Sequence, residues 1–418
     1  MTESVEIITI GDELLLGTTV DTNAVFLARA LGDIGVPIAR RATVADDADE
    51  ITDAVRQALH RTGGVITTGG LGPTADDLTR PVLAKLFGRE LREDPSIVAA
   101  LHALWASRGR GGPLPPSNLQ QALVPIGAEV LENAQGTAPG LRLTDAEGRW
   151  VIMLPGVPRE LRHMTTEHIV PWLAARGGGT VLRSRSVRTT SIAESALAEK
   201  LGPLTRQVEG LPLAYLPGHD GVDIRVTARG LEADDATRRL DAAVARIQEA
   251  VGVYAYATDG VAMASVVLEL CADRGETIAV AESCTGGLLG ARLTEVAGSS
   301  RVVLGGVIAY TNAIKEQELG VSADDIREHG AVSEPVAVQM ARGVRGMTGA
   351  TIGVGITGVA GPDGGTPDKP VGTVWIAVDV RGDVCTSRAI YIGDRGEIRH
   401  RATQVAMDLI RRALITTI

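Results

Sequence analysis

The first part of the chain alternates short apolar runs with longer segments whose apolar residues recur at helical spacing. A short apolar run is typical of a buried strand, whereas apolar residues at i, i+3 and i+4 predict an amphipathic helix. On this basis we predict strands at 5–10, 36–42 and 65–68 and helices at 23–31 and 46–60. This alternation predicts a doubly wound parallel sheet, whose ligands gather at the carboxyl ends of the strands.

The last part of the chain, from about residue 262, returns to the same alternation. The predicted strands lie at 277–280, 302–310, 351–356 and 371–379, and the predicted helices at 266–273 and 288–293, from Ser333 onward and from 393–395 onward. A second α/β domain of the doubly wound type is therefore expected here.

The segment between these two parts predicts a small α+β module. Its predicted strands lie at 181–188, 213–216 and 222–227, and its predicted helices at 194–201 and 233–251. The chain is thus expected to be α/β, with two doubly wound domains joined by the small module. We predict domains at 1–172, 180–257 and 262–418.

Two loops are rich in glycine or proline. Gly218-His219-Asp220-Gly221 matches the GxxG pattern with which KH modules clamp RNA. However, it connects two strand-like runs and contains an aspartate, so a hairpin turn is predicted instead. The Gly- and Pro-rich residues 107–117 predict a flexible surface loop.

Composition narrows the class of protein. Of 418 residues, 44% are hydrophobic but only 3% are aromatic, so the cores must be mostly aliphatic. Three cysteines without CxxC spacing indicate a reducing compartment. The N-terminus lacks the basic region of a signal peptide and no stretch approaches a membrane span, which predicts a cytoplasmic protein without membrane contact.

The formal net charge of −10 argues against general nucleic-acid binding, which normally requires a basic face. It does not exclude phosphorylated small molecules, because a few local donors, often backbone amides, can bind a phosphate.

A Gly-rich stretch at residues 69–79 follows the third predicted strand. Its amides could cradle a phosphate, and nearby carboxylates could hold a hard cation against that phosphate. The alternative is an ordinary strand–helix loop with capping aspartates, since the stretch is neither a Walker loop nor a GxGxxG fingerprint. The candidate carboxylates are Asp12, Glu13, Asp46, Asp76 and Asp77.

A second small-residue turn, at residues 281–287, lies between a predicted strand and a predicted helix. Such a turn presents a hydroxyl and several backbone N–H groups at one point, so Ser283 could attack a carbonyl while amides stabilise the oxyanion. Cys284 is an alternative nucleophile, because thiolates are intrinsically better nucleophiles. Consecutive residues leaving a strand point to opposite faces, so only one of the two is expected to face a substrate.

The turn itself contains no base. Tyr310 and Lys315 lie at or just past the end of the predicted 302–310 strand. A lysine can act as a base when burial lowers its pKa, and a phenol can relay the proton. The alternative is a strand–helix turn with a surface lysine. A serine–histidine pair would require His329 or His400, both of which have charged neighbours and are expected to be solvated.

Five motifs of the last domain, in the same order, resemble the C-terminal domain of the CinA family, which is the nicotinamide mononucleotide deamidase. The motifs lie at 281–287, 310–315, 330–333, 356–362 and 369–374. The resemblance implies Ser283 as the nucleophile, with Lys315 and Tyr310 in the proton transfer and no cofactor for deamidation. The candidate substrate-binding residues are Thr285, Gly286, Gly287, Asn312, Gly358, Gly361, Arg395 and Arg399.

The front of the chain resembles the molybdopterin-binding-like domain of CinA proteins, and the middle resembles their KH-like domain. In some family members the front domain hydrolyses ADP-ribose with a divalent metal such as Mg²⁺, for which Asp46 and Asp77 are the candidate ligands. The motifs that carry the resemblance lie at 11–13, 21–23, 69–79, 133–140 and 154–158. The implied nucleotide site comprises Gly11, Glu13, Asn23, Gly69, Gly70, Gly72, Thr74, Asp77 and Thr79.

The expected partners are small pyridine nucleotides and ADP-ribose, and dimeric family members suggest a homodimer. Two other functions stay open. The protein could bind molybdopterin or a nucleotide without catalysis. It could also be a competence-related protein acting on nucleic acid, although the negative charge and the GxxG context count against this.

Overall fold

In the computed structural model, which describes residues 4–107, 112–176 and 180–416, the N-terminal part is built on a six-stranded sheet. The strands of this part are β1 (Val5–Ile10), β2 (Ile38–Val44), β3 (Gly64–Thr68), β4 (Leu91–Glu93), β5 (Leu123–Pro125), β6 (Glu129–Leu131), β7 (Gly140–Thr144) and β8 (Trp150–Leu154). The sheet order is β2-β1-β3-β8-β7-β6, while β4 and β5 pair separately. The first four strands of the sheet are parallel and the last two are antiparallel.

Helices cover this sheet. They are α1 (Asp12–Leu15), α2 (Thr22–Asp33), α3 (Ala48–Thr62), α4 (Thr79–Leu86), α5 (Pro95–Ser107), α6 (Pro158–Met164) and α7 (Val170–Ala174), with a 3₁₀ helix at Pro116–Ala122 and a π turn at Thr165–Ile169. Every residue of β1 is buried, as expected for a central strand with both faces covered. The start of α3 is fixed by Asp47, whose side chain accepts from the amides of Asp49 and Glu50.

The middle segment forms a five-stranded sheet with two helices. Its elements are β9 (Thr180–Thr189), α8 (Glu194–Leu201), β10 (Gln207–Val208), β11 (Leu211–Pro217), β12 (Val222–Glu232), α9 (Ala233–Val251) and β13 (Ala255–Thr258), in the sheet order β10-β11-β12-β9-β13. The predicted hairpin turn is confirmed, because β11 and β12 pair antiparallel and the amide of Gly218 donates to the carbonyl of Gly221 at 2.8 Å.

The C-terminal part contains a second α/β sheet. Its elements are α10 (Met263–Arg274), β14 (Ile278–Glu282), α11 (Leu288–Thr294), β15 (Val303–Ile308), α12 (Asn312–Leu319), α13 (Ala323–His329), α14 (Glu334–Thr348), β16 (Ile352–Gly358), β17 (Thr373–Val380), β18 (Asp383–Ile390) and α15 (Arg395–Thr416). The order is β15-β14-β16-β17-β18; β14 is parallel to both of its neighbours, and β17 and β18 are antiparallel.

Two glycines bring helix α14 directly onto the centre of this sheet. A Cβ at Gly353 would lie 2.1 Å from the carbonyl oxygen of Ala341, and one at Gly355 would lie 2.2 Å from that of Ala337. Real Cβ atoms do not approach backbone oxygens this closely, so the helix can rest on the strand only where side chains are absent.

The contacts of the chain divide it into two compact units, Met1–Arg183 with Ala228–Arg238 and Ser184–Thr227 with Arg239–Ile418. The predicted mixed α/β class is confirmed. Several short strands, among them β4, β5 and β6, are not anticipated by the apolar pattern. Residues 108–111 of the predicted surface loop lie outside the described residues. Within the described ranges, no helix has both the length and the apolar character needed to cross a membrane.

Candidate active site

Three loops of the second unit meet at one edge of its sheet. Ser283 directly follows β14, the segment 309–315 follows β15, and the segment 358–361 ends and follows β16. Because these three strands are parallel, their carboxyl ends lie side by side. The sheet therefore gathers residues from distant parts of the sequence into one site.

The centre of this site is a contact between a serine and a buried lysine. The Nζ atom of Lys315 lies 3.1 Å from Oγ of Ser283 and donates to the carbonyl of Ala309 at 2.9 Å. Lys315 is only 2% exposed. Its position on the first turn of α12 is fixed by the N-cap Thr311, whose hydroxyl accepts from the amide of Ile314.

Burial lowers the pKa of Lys315 below its ordinary value of 10.5, because the charged ammonium loses its hydration. Among the described residues no carboxylate forms an ion pair with this amine, and only the neighbouring Cys284 opposes the lowering of the pKa. A neutral amine can donate to the carbonyl of Ala309 and accept the proton of Ser283 with its lone pair. The geometry thus suits a base that acts on the serine hydroxyl.

A second buried side chain, Glu282, fixes the turn that carries the serine. It is 1% exposed, and its carboxylate accepts from the amides of Gly287, Leu289 and Gly290 at 3.1, 3.0 and 2.8 Å. A carboxylate at the start of a helix satisfies donors that have no partner within the helix and interacts favourably with the helix dipole. Glu282 therefore holds the start of α11 against the end of β14.

This arrangement corrects one expectation from the sequence. The amide of Gly287 is bound by Glu282, and the amide of Gly286 donates to the carbonyl of Ser283 at 3.0 Å. Neither glycine amide is therefore free to stabilise an oxyanion. The amides of Cys284 and Thr285 donate to no other described residue, so they are the candidates for that role.

The alternative nucleophiles and bases are placed less favourably. Burial raises the pKa of Cys284 to about 12, so its thiol is protonated near neutral pH and is a weak nucleophile. His400 contacts Asp220 at 2.7 Å, and His329 lies 3.9 Å from Asp325. Neither histidine forms a hydrogen bond with Ser283 in the described part of the chain.

Two arginines at the start of α15 connect the loops of the site. Arg395 donates to the carbonyl of Gly361 and to the hydroxyl of Tyr310, both at 2.7 Å. Arg399 donates to the carbonyl of Thr285 through Nε and Nη2, at 3.1 and 2.6 Å. Arg399 thus contacts the serine turn, and Arg395 links the loops that follow β15 and β16.

The other predicted residues lie around this centre. Tyr310 is 57% exposed, and its hydroxyl contacts Arg395 rather than Ser283 or Lys315. Asn312 is exposed at the first position of α12, and Gly358 is the last residue of β16. Thr285 is fully buried and has a hydroxyl without a partner among the described residues.

The first unit contains a separate cleft of about 480 Å³ at the carboxyl ends of β1 and β3. Most of the nucleotide-site residues predicted from the sequence line it: Gly11, Glu13, Asn23, Gly69, Gly70, Gly72 and Asp77, together with Asp46. The two remaining predicted residues, Thr74 and Thr79, form hydrogen bonds within the Gly-rich loop. Thr79 is fully buried and donates to the carbonyl of Gly69, and Thr74 donates to Asp77.

Asp77 braces the Gly-rich loop. One of its oxygens accepts from the amide of Gly72 at 2.7 Å, and the other accepts from the amide and the hydroxyl of Thr74 at 2.8 and 2.6 Å. Both oxygens are thus occupied by the loop. The structure favours this bracing role for Asp77 over the metal-binding role that the sequence predicts.

Asp46 is better placed for a cation. Burial and the neighbouring carboxylates of Asp12, Glu13 and Asp76 raise its pKa, although the amide of Asp12 opposes this by donating to it. Among the described residues no group of three or more His, Cys, Asp or Glu side chains is arranged to hold a metal ion. The carboxylates fit only a cation that takes most of its ligands from water and substrate, as Mg²⁺ commonly does.

Two polar groups of the cleft have no partner within the described protein. The Nδ2 atom of Asn23 donates to the carbonyl of Gly156 at 2.7 Å, which leaves its buried Oδ1 unpaired. Gln121 is 2% exposed, and its Oε1 is also unpaired. The sequence gives no signal for Gln121, because it lies in a short 3₁₀ helix. Arg80 holds that helix near the loop by donating to the carbonyls of Gln120 and Leu71.

Substitution of Glu282 by Gln tests the bracing of the serine turn. The amide NH₂ would face backbone donors and the negative charge would be lost, so we expect a loss of about 2 kcal/mol in the free energy of unfolding. Urea unfolding measures this, and hydrogen exchange should become faster at Gly287, Leu289 and Gly290. The matched control is Glu276→Gln, whose partner Arg381 is 61% exposed, and it should cost less than about 1 kcal/mol. Equal losses in the two variants would contradict a special role for Glu282.

Family models match three consecutive parts of the chain. Residues 6–175 match the "Probable molybdopterin binding domain", 184–257 the "Damage-inducible protein CinA KH domain" and 261–414 the "CinA C-terminal domain".

Individual proteins are similar over the whole length or over one domain. A CinA-like protein of Gemmatimonas aurantiaca is 58% identical over 411 residues, covering 98% of this chain and 96% of that protein. A CinA-like protein of Prochlorococcus marinus is 44% identical over 98% of this chain and 96% of that protein. A solved structure of the competence/damage inducible protein CihA from Agrobacterium tumefaciens is 40% identical, covers 37% of this chain and 94% of that chain, and gives a TM-score of 0.36. The full-length similarity and the order of the three domains show that the chain belongs to the CinA family.

Proposed function

We propose that the C-terminal domain hydrolyses the carboxamide of nicotinamide mononucleotide to nicotinate mononucleotide and ammonia. The observation that supports this most directly is the buried amine of Lys315, 3.1 Å from the hydroxyl of Ser283 and without a carboxylate partner among the described residues. A serine activated by a neutral lysine is suited to acyl transfer from an amide.

The reaction begins with transfer of the Ser283 proton to Nζ of Lys315 as Oγ bonds to the carboxamide carbon. The carbonyl oxygen becomes an oxyanion, for which the amides of Cys284 and Thr285, free among the described residues of the serine turn, are the proposed donors. Collapse of this intermediate breaks the C–N bond, and the Lys315 ammonium gives its proton to the leaving ammonia. The product of this half-reaction is a nicotinoyl ester on Ser283.

Water completes the cycle. Lys315 accepts a proton from the water that attacks the ester, and the C–Oγ bond breaks as that proton returns to Ser283. The guanidinium groups of Arg395 and Arg399 are the proposed phosphate grip. Each has five N–H donors, so their contacts with the protein leave further donors for a ligand.

The identity of the nucleophile is tested by two adjacent substitutions. Ser283→Ala should abolish ammonia release from nicotinamide mononucleotide, because no other activated hydroxyl contacts Lys315 in the described structure. Cys284→Ala should retain most of the activity, because the thiol with its raised pKa is protonated. Ammonia release measured on both purified variants decides between them. Loss in Cys284→Ala with retention in Ser283→Ala would identify a thiol amidase instead.

The role of Lys315 is tested by the dependence of the rate on pH. The base must be neutral, so the rate should rise with pH through the pKa of Lys315, with a midpoint below 10.5. Lys315→Ala should lower the rate by about 10²–10⁴-fold. Lys315→Arg should restore little, because a guanidinium stays protonated. Near-normal turnover by the arginine variant would mean that the residue supplies positive charge rather than a base.

We further propose that the N-terminal cleft is a nucleotide site that hydrolyses the pyrophosphate of ADP-ribose or a related dinucleotide. The braced Gly-rich loop supports this, because the amides of Gly70 and Leu71 donate to no described residue and could contact a phosphate. The unpaired Oδ1 of Asn23 could accept from a ribose hydroxyl. Asp46 is the residue that would hold a divalent cation, which would neutralise charge on the phosphates.

Asp77→Asn separates the two proposed activities. The amide cannot accept both loop hydrogen bonds on equal terms, so hydrolysis of ADP-ribose should fall at least tenfold while deamidation is unchanged. The control Asp53→Asn, at an exposed position paired with Arg56, should leave both activities intact.

A chelator tests the same separation. It should lower hydrolysis of ADP-ribose and leave deamidation unchanged. Retention of a pterin without turnover of either substrate would support the non-catalytic alternative, and loss of ammonia release with chelator would contradict a metal-free deamidase.

A further inference from the structure

The second unit contains a cavity of about 380 Å³ that neither proposed activity uses. It lies beside the hairpin turn between β11 and β12, and we name it the hairpin cavity. Its lining comes from residues 190–194, from residues 217–222, from Tyr391 and from Arg401, Gln404 and Val405 of α15.

Gln404 presents an unpaired donor at this cavity. The residue is 2% exposed, and its Oε1 accepts from Nη2 of Arg292 at 2.8 Å. Because that contact identifies the oxygen of the amide group, the other atom must be the nitrogen, Nε2. This nitrogen is buried and has no acceptor among the described residues. An unsatisfied buried donor costs stability, so its persistence at a cavity points to a ligand that accepts from it.

Tyr391 and Arg401 add two further donors. The hydroxyl of Tyr391 is buried and unpaired in the described structure, and burial raises the pKa of Tyr391, so the group remains protonated. Arg401 lies close enough to oppose this rise in the pKa of Tyr391. Its guanidinium forms no hydrogen bond or ion pair with any described residue.

The start of helix α8 also faces the cavity through Ala193 and Glu194. The N-cap residue Ala193 provides no side-chain hydrogen bond, and the amides of residues 194–196 donate to no described acceptor. An uncapped helix N-terminus favours an anion, because its free N–H groups and the helix dipole act together.

The carboxylates of the cavity do not offset these donors. Asp220 contacts the three cationic or potentially cationic side chains of Arg188, Arg292 and His400, at 3.0, 3.0 and 2.7 Å. These partners lower the pKa of Asp220 against the effect of burial, and they neutralise its charge. Glu194 is the other acidic residue of the lining, and it is exposed to solvent.

We propose that the hairpin cavity binds an oxyanion, the phosphate or carboxylate group of a small metabolite. The free amide nitrogen of Gln404, the guanidinium of Arg401 and the amides at the start of α8 are donors, and the hydroxyl of Tyr391 can donate as well, which matches an acceptor-rich anion better than a metal cation. Ser283, Lys315, Arg395 and Arg399 are not among its lining residues, so it is distinct from the proposed grip on the substrate phosphate.

Calorimetric titration of the full-length protein with inorganic phosphate, and separately with malonate, tests this proposal. Gln404→Glu keeps the acceptor for Arg292 but places a negative oxygen at the position of the free donor, so it should weaken binding at least tenfold. Arg401→Met should have a similar effect. The control Arg327→Met removes one positive charge at a position whose side chain is 74% exposed and should change nothing. The tighter of the two titrants identifies whether the group is a phosphate or a carboxylate.

Tyr391→Phe provides an independent measurement. It removes a hydroxyl that has no partner among the described residues, so the ligand-free variant should be at least as heat-stable as the unmodified protein, while binding of the preferred anion should weaken about three- to tenfold. Other anion sites of the chain contribute equally to every variant, so the differences report on this cavity. Unchanged binding in Arg401→Met and Tyr391→Phe, or an equal loss in Arg327→Met, would overturn the proposal.

Discussion

The proposed deamidase chemistry depends on burying the Lys315 amine against the hydroxyl of Ser283 without an ion pair to any carboxylate of the described residues. A carboxylate would stabilise the ammonium and raise the pKa of Lys315, whereas burial alone lowers it. The lowered pKa has a cost in stability. In the pH range between the folded and unfolded pKa values the unfolded chain binds more protons, so stability rises with pH there. Below that range the cost is fully present. The site therefore exchanges stability at neutral pH for a lysine that can act as a base.

The rest of the second unit makes that burial possible. The parallel strands β14 and β15 bring the serine turn and the lysine helix to one edge, although 32 positions separate Ser283 from Lys315 in the chain. Helix α14 closes the sheet from one side because Gly353 and Gly355 allow it to rest on β16. The described hydrogen-bond partners of the amine are neutral, the carbonyl of Ala309 and the hydroxyl of Ser283, and the geometry of the serine–lysine pair follows from the order of the strands.

The sequence predicts this pairing but not its surroundings. Ser283 and Lys315 follow two apolar runs of a predicted parallel sheet, and strand ends of that kind share an edge. The engagement of the glycine amides by Glu282 could not be predicted, because a glutamate at the end of an apolar strand gives no indication of which donors its side chain will reach. Gln121 and Gln404 have no distinguishing pattern at all. Their importance lies in a missing hydrogen bond, which only a three-dimensional arrangement reveals. The short strands β4, β5 and β6 escaped prediction because three residues are too few to show a period.

In each unit, a carboxylate that accepts hydrogen bonds from backbone amides stabilises a turn. This contact also limits how each unit can recognise an anion. Glu282 accepts the amides that open α11, and Asp77 accepts the amides of Gly72 and Thr74 in the Gly-rich loop. In each case a carboxylate of the protein occupies donors that a ligand could otherwise use. The turn gains a fixed shape, but its negative charge lies close to any bound anion. Recognition of a phosphate must then come from donors left over beside the brace, such as the amides of Gly70 and Leu71, or from cationic side chains such as Arg395 and Arg399. At the start of helix α8, no described side chain accepts from the first amides. The N-terminus of α8 can therefore bind an anion directly, whereas the two turns held by Glu282 and Asp77 cannot offer the same donors.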